Sequence, residues 1–288
     1  MNIPFNLLVI EKVSMWVVMD KSVSKHRKKL NANQLEVLEL LYRFRFGSNE
    51  LFAQYFGKKD RSFVYKRLTI LLDQGLIGKR FDKSYRMQGK PAAYYLEPEG
   101  ARRLQEAQGL EVNIKSIYKD KTVSEQFVRY RLELFALYNQ LRVQYGDSLK
   151  FFTAAELNRE EFDYFPRPLP DAYIQLKVGR KQKQFFLDIF HDDQPYFVAV
   201  RKILQYVKYD DDADWSVTDA DLPTILAVCE SSSLAKRVQK RMAKALNDSW
   251  SNNLAFAVTA KAALLSGESA VWQKADEPNG KLPLANIS

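Results

Sequence analysis

From Asn31 the apolar residues fall at helical spacing: Leu35, Leu38, Leu41 and Tyr42 recur three and four positions apart, which predicts a helix that stops at Gly47. A second short helix is predicted over Asn49 to Phe56, ended by Gly57. A third starts at Asp60, a good N-cap, and stops at Gly75. It commits Val64, Leu68, Leu71 and Leu72 to a core, which leaves Ser62, Tyr65, Lys66 and Thr69 on its polar face and Arg61 at its N-terminal end. Two β-like runs follow, Leu76 to Phe81 and Ala92 to Leu96, joined by a segment that carries Lys83, Arg86, Gln88, Gly89, Lys90 and Pro91. Pro98 then opens another helix at its first turn. Three helices, a basic hairpin and a helix over residues 31–109 predict a winged helix-turn-helix, with the third helix as reader and the hairpin as wing.

Residues 110–146 read as a linker and a connecting helix: 109–123 are polar and mixed, and a long helix runs from about Ser124 to Tyr145 with a wide stripe of Phe127, Leu134, Tyr138, Leu141 and Tyr145. Beyond Gly146 strands alternate with helices. The strands are Leu149 to Ala155, Ala172 to Val178, Phe185 to Phe190, Thr224 to Cys229 and Leu254 to Thr259; the helices are Tyr196 to Tyr209 and Leu234 to Leu246. An α/β domain over 147–266 follows, then an irregular tail, 267–288. The acidic run Asp210 to Asp214 reads as a solvated loop, His191 as a loop residue and Cys229 as a small core residue of its strand. Residues 1–30 form an N-terminal extension. Glu11 and Lys12 interrupt its apolar stretch and no cleavage site follows, so neither an export signal nor a membrane span is expected.

Composition changes this picture in two ways. With 46% apolar and 13% aromatic residues over 288 positions, disorder as the overall state is excluded. The net charge of +9 is regional: residues 21–109 hold 19 Lys/Arg against 9 Asp/Glu, and the remainder is near balance. A positive surplus that coincides with a recognition-helix pattern points to duplex DNA. The DNA-binding candidates are Lys58, Lys59, Arg61, Ser62, Tyr65, Lys66 and Thr69 on and before the third helix, with Lys83, Arg86 and Lys90 in the wing. No cofactor is required for that binding. One cysteine and two histidines argue against a disulfide framework and a Cys-based or His-rich metal centre, and favour a cytoplasmic setting.

Leu169-Pro170-Asp171 opens one strand and Phe186-Leu187-Asp188-Ile189-Phe190 lies on the next, joined by the basic turn Gly179 to Lys183, so a hairpin brings two carboxylates to neighbouring strands. Two such carboxylates can hold Mg²⁺. Gln205 and Tyr209 fall four residues apart on the following helix, close to Lys202 and Lys208. This arrangement resembles the PD-(D/E)XK nuclease superfamily, and Gln205-x-x-x-Tyr209 is similar to the extra motif of its RecB-like members. The resemblance implies Asp171 and Asp188 as metal ligands and Asp171, Asp188, Lys202 and Gln205 as the catalytic set. The family's lysine position is Phe190 here, so the site reads as degenerate; Lys202 or Lys208 substitutes only if the helix brings its amine over the carboxylates. Mg²⁺ is called for only if the site cleaves.

Together the two halves resemble the replication-relaxation family of plasmids and mobile elements, over roughly residues 31 to 260. The likeness rests on Leu40-Leu41-Tyr42-Arg43-Phe44-Arg45-Phe46, Val64-Tyr65-Lys66-Arg67-Leu68, Gly75-Leu76-Ile77, Tyr94-Tyr95-Leu96-x-Pro98-x-Gly100-Ala101 and Pro170-Asp171. It implies an α+β winged helix followed by a restriction-endonuclease-like α/β domain. It also implies a DNA-binding accessory role in replication, relaxation or mobilisation. Double-stranded DNA is then the first partner and a relaxase or replication protein a further one; no membrane is involved, and the second domain supplies homodimerisation or further DNA contacts. Two alternatives stay open: a Mg²⁺-dependent nuclease, and a transcriptional regulator whose second domain only dimerises.

Overall fold

Asn31 opens the first helix through its side chain, which accepts the Gln34 N–H at 2.9 Å while Gln34 Oε1 accepts the Asn31 N–H at 3.0 Å. The computed structural model describes residues 30–109, 114–158, 160–218, 220–249, 253–277 and 279–287. Residues 1–29 of the N-terminal extension and 110–113 of the expected linker lie outside the described residues. The chain divides into two units after Leu132.

In the first unit, α1 (Ala32–Phe44), α2 (Asn49–Tyr55) and α3 (Ser62–Asp73) pack with three short strands. Ser48 Oγ caps α2 by accepting the Leu51 N–H at 3.2 Å. At α3 the N-cap position is Arg61, one residue after the expected Asp60, but the Asp60 carboxylate does the capping, accepting the Ser62 N–H at 2.8 Å. Strands β1 (Phe46–Gly47), β2 (Ile77–Arg80) and β3 (Ala93–Leu96) form an antiparallel sheet in the order β1-β3-β2. Val37, Leu38, Leu41, Phe44, Phe52, Val64, Leu68, Leu71 and Leu96 fill its core.

Two connections differ from expectation. The segment between β2 and β3 is folded into a short helix, α4 (Lys83–Met87), because Asp82 caps it and Tyr85 is buried as its anchor. The expected linker contains α6 (Ile114–Ile117) and a 3-10 turn at Tyr118–Lys121, after α5 (Pro98–Gln108), which starts at Pro98 as its sequence predicts. The buried Asp120 in that turn is ion-paired with Arg45, which ties the segment down.

Helix α7 (Glu125–Tyr145) runs through the division. The second unit is built on a seven-stranded sheet in the order β10-β9-β8-β7-β6-β5-β4, the reverse of chain order. Strands β4 (Leu149–Thr153), β5 (Ala172–Val178) and β6 (Lys181–Phe190) form an antiparallel meander, with the short helix α8 (Ala154–Leu157) after β4. Helices α9 (Tyr196–Asp211) and α10 (Ser232–Asp248) are the crossovers that set β7 (Thr224–Cys229) and β8 (Phe256–Ala260) parallel to β6. A meander followed by two such crossovers makes a large mixed sheet.

After α11 (Lys261–Leu265), the tail expected to be irregular adds β9 (Ala270–Lys274) and β10 (Leu282–Pro283). Trp272, Leu284 and Ile287, all buried, hold it to the sheet. Under α9 and α10 lies an aromatic and aliphatic core that includes Phe165, Tyr173, Phe186, Phe190, Cys229 and Met242. Burial pushes the Cys229 thiol up to about 12, as suits an inert core residue. Among the described residues no helix is long and apolar enough to cross a membrane.

Gly100 marks the closest backbone approach: a Cβ there would stand 2.0 Å from the Leu76 carbonyl oxygen and 2.9 Å from Leu96 Cδ1. Gly100→Ala is therefore expected to destabilise the protein by about 1–3 kcal/mol in denaturant unfolding. A variant as stable as the parent would mean that α5 moves away from β2 at no cost.

Candidate functional site

The β5–β6 register sets Ala172 opposite Leu187, so Asp171 reaches the stretch of β6 that bears Asp188. Asp171 is fastened there twice. Its N–H donates to the Leu187 carbonyl at 2.9 Å, and its Oδ2 accepts the Ile189 N–H at 2.9 Å. Strand alternation puts Asp188 on the same face as Phe186 and Phe190, beneath α9. From that helix Tyr206 donates its hydroxyl to Asp188 Oδ2 at 2.6 Å, and Lys202 Nζ stands 3.5 Å from Asp188 Oδ1. Lys202 Nζ also donates to the carbonyls of Pro168 and Leu169, each at 2.9 Å, and Gln205 Nε2 donates to the Pro168 carbonyl at 2.8 Å.

The four residues that the resemblance implies, Asp171, Asp188, Lys202 and Gln205, thus gather at one point. Phe190 is a core residue. Of the two lysines of α9 singled out in the sequence, Lys202 stands beside Asp188 and Lys208 is exposed. Tyr209 is elsewhere, donating its hydroxyl to the Tyr164 carbonyl. The tyrosine on the carboxylate is Tyr206, which the Gln-x-x-x-Tyr spacing passes over; its signal is the four-residue step from Lys202.

Burial pushes the Asp188 carboxyl up to about 6; the Lys202 ammonium pulls it down, the Asp171 charge pushes it up and the Tyr206 hydroxyl pulls it down. The three donors of the Lys202 ammonium face three acceptors, Pro168 O, Leu169 O and Asp188 Oδ1. Its amine is therefore a fixed counter-ion to Asp188. Mg²⁺ needs near-octahedral oxygen ligands and keeps several waters. Asp188, 4% exposed and engaged at both oxygens, does not fit that requirement.

Of the DNA-binding candidates, Lys58, Lys59, Arg61, Ser62, Tyr65, Lys66, Lys83, Arg86 and Lys90 are exposed and Thr69 is half-buried. Some of their polar groups are engaged within the unit: Arg61 with Glu50 at 3.1 Å, the Ser62 hydroxyl with Asp60, and the Thr69 hydroxyl with the Tyr65 carbonyl. Arg67 is buried between the rings of Phe56 and Phe63 and belongs to the scaffold. Exposed apolar Phe63 and Ile70 flank the basic face. A second basic face was not anticipated: Lys236, Arg237, Lys240 and Lys244 are exposed along α10, with Arg241 half-buried. Its four-residue repeat was the available signal.

No family model and no curated protein matches the chain. Among solved structures it is similar to restriction endonuclease FokI at 13% identity and a TM-score of 0.30, with 81% of this chain and 43% of that chain covered. The same endonuclease bound to DNA aligns at 12% identity and a TM-score of 0.26, over the same shares. The chain spans less than half the length of either.

Removing one partner of a buried pair strands the other. Lys202→Met is expected to cost about 3–5 kcal/mol in denaturant unfolding, and Lys202→Met with Asp188→Asn to recover most of it. A single-variant cost below about 1 kcal/mol would show that the pair contributes little. The pH dependence has a definite sign. Asp188 is raised from 3.8 to about 6 in the folded chain. Between those values the folded state keeps a proton that the unfolded state has lost, so this group's contribution to stability falls as pH rises through the window. Unfolding free energies measured from pH 3.5 to 7 should therefore slope less steeply downward in Asp188→Asn; an unchanged slope would assign the titration to other groups.

Proposed function

We propose that this chain is a duplex-DNA-binding accessory protein of a plasmid or mobile element, acting in replication, relaxation or mobilisation, with its first unit used as a winged helix-turn-helix. The observation that carries the reading is the division of α3. Val64, Leu68 and Leu71 are fully buried, and Arg61, Ser62, Tyr65 and Lys66 are exposed on the remaining surface, directly after Lys58 and Lys59. A helix anchored by one face and basic on the other suits insertion into a groove. Lys83 and Arg86 lie on α4 and Lys90 follows it, and the buried Tyr85 anchors that helix as the base a phosphate-contacting wing requires. The regional charge surplus supports the same surface.

In this reading the second unit supplies dimerisation or further DNA contacts, and a relaxase or replication protein is the further partner. One observation favours the competing nuclease reading, the Lys202 amine beside Asp188. The closed, self-neutralised carboxylate weighs against it, since catalysis needs a cation at the scissile phosphate.

Arg61→Ala and Lys66→Ala are each expected to weaken duplex binding and to reduce the slope of log K against log salt by about 1, in fluorescence anisotropy over a salt series. An unchanged slope would take these residues out of the interface. Replacing Lys83, Arg86 and Lys90 together should lower affinity for unrelated sequences about equally; a selective loss of sequence preference would make the wing the reader. With Mg²⁺ or Mn²⁺ supercoiled plasmid should remain uncut, and Asp171→Ala should bind DNA as the parent does. Nicking that disappears in Asp171→Ala and Asp188→Ala would establish the nuclease reading.

A further inference from the structure

The strand register aligns a second set of polar residues that the Asp171–Asp188 pair does not use. Phe190, Cys229 and Ala260 are neighbours in one row across the parallel strands β6, β7 and β8, and each is the last residue of its strand. The residues that follow, His191, Glu230 and Lys261, stand together at the carboxyl edge of the parallel strands, where α/β sheets gather ligand-binding groups. Glu133 of α7 joins them. His191 is 2% exposed and Glu133 8%.

The distances are informative. His191 Nδ1 is 3.6 Å from Glu230 Oε2 and 3.9 Å from Glu133 Oε2. Those separations are too long for hydrogen bonds. They suit two atoms that share one ion, because metal–ligand bonds of about 2.0–2.2 Å set adjacent ligands about 3–4 Å apart. One donor atom from each of His191, Asp193 and Glu230 lies within 4.8 Å of the other two.

The charge balance points the same way. Glu133, Asp193 and Glu230 place three carboxylates here, and Lys261 meets two of them, 3.1 Å from Glu133 Oε2 and 3.7 Å from Glu230 Oε1. Glu133 Oε1 is buried and accepts no hydrogen bond among the described residues. A buried carboxylate in an acidic cluster is costly unless further positive charge completes it. Lys261, 25% exposed on a flexible stem, can withdraw when a stronger cation arrives.

We propose that His191, Asp193 and Glu230 form a site for a divalent transition-metal ion, Zn²⁺ or Mn²⁺, at the carboxyl edge of the sheet, beside Glu133 of α7. The imidazole nitrogen selects such ions over Mg²⁺. Strand parity separates the site from Asp188: positions 186, 188 and 190 face α9, and position 191 continues on the opposite side with Glu133. The proposal is independent of DNA binding.

The test is titration of the full-length, chelator-stripped protein with Zn²⁺ and with Mn²⁺, by calorimetry and by competition with a chromophoric chelator. One equivalent per chain is expected. Affinity should fall about tenfold or more in His191→Ala and Glu230→Gln, stay unchanged in Asp171→Asn, and rise in Lys261→Met, which removes the competing ammonium. Bound Co²⁺ should give visible absorption that His191→Ala alters. If His191→Ala does not fold, the opposite shifts of Glu230→Gln and Lys261→Met decide the matter. Absence of stoichiometric binding overturns the site. So does binding that survives Glu230→Gln with no gain in Lys261→Met, or binding lost only in Asp171→Asn.

Discussion

The Asp188 carboxylate, buried between β6 and α9, is the contact on which the arrangement of the second unit depends. A buried charge costs several kcal/mol unless a cation and hydrogen bonds satisfy it. Here Tyr206 and Lys202 do so from one helix, four residues apart, so α9 can lie on β6 with only that face down. Lys202 has two donors left, and it spends them on the carbonyls of Pro168 and Leu169. That draws in the segment ahead of β5, and Asp171, the next residue but one, is clamped to β6 through Ile189. One satisfied carboxylate therefore sets the orientation of a helix, a strand and a loop.

The first unit rests on a different constraint, the need to free one face of α3. Arg67 would put a further charge on that helix, but Phe56 and Phe63 take its guanidinium between their rings, and burial holds its pKa below the ordinary value. The exposed face is left to Tyr65, Lys66 and the residues around them. Tyr85 does the corresponding work between β2 and β3, where one buried ring converts a polar connection into a short helix.

Elements announced by chemistry at their ends were legible in the sequence. Asn31 and Pro98 start helices where the sequence predicts them, each through its own side-chain or backbone preference. Lys83–Met87 was not legible, because Tyr85 is its one buried position and a single residue has no period. The tail was missed for a related reason: β9 and β10 are short, and Trp272, Leu284 and Ile287 declare no alternation until a sheet edge receives them. At the site, the carboxylate hairpin could be read from spacing, but the helix phase that chooses Lys202 over Lys208 could not. Adjacent helix positions differ by about 100°, so Gln205 and Tyr206 point to different partners although they adjoin in sequence.

Residues 133, 191, 230 and 261 were beyond any local reading, since only the strand register brings them together. Their geometry shows why the two lysines of the second unit differ in consequence. Lys202 meets one carboxylate and two carbonyls, which match its three donors and its single charge, and Asp188 is neutralised in place. Lys261 is instead shared between two carboxylates, Glu133 and Glu230, in a neighbourhood with a third. A lysine held by three acceptors of its own closes a site, whereas one shared between two carboxylates on a flexible stem can give way to a stronger cation. The chemical interest of the sheet therefore shifts from the carboxylate pair inside the hairpin to the outer edge of its parallel strands.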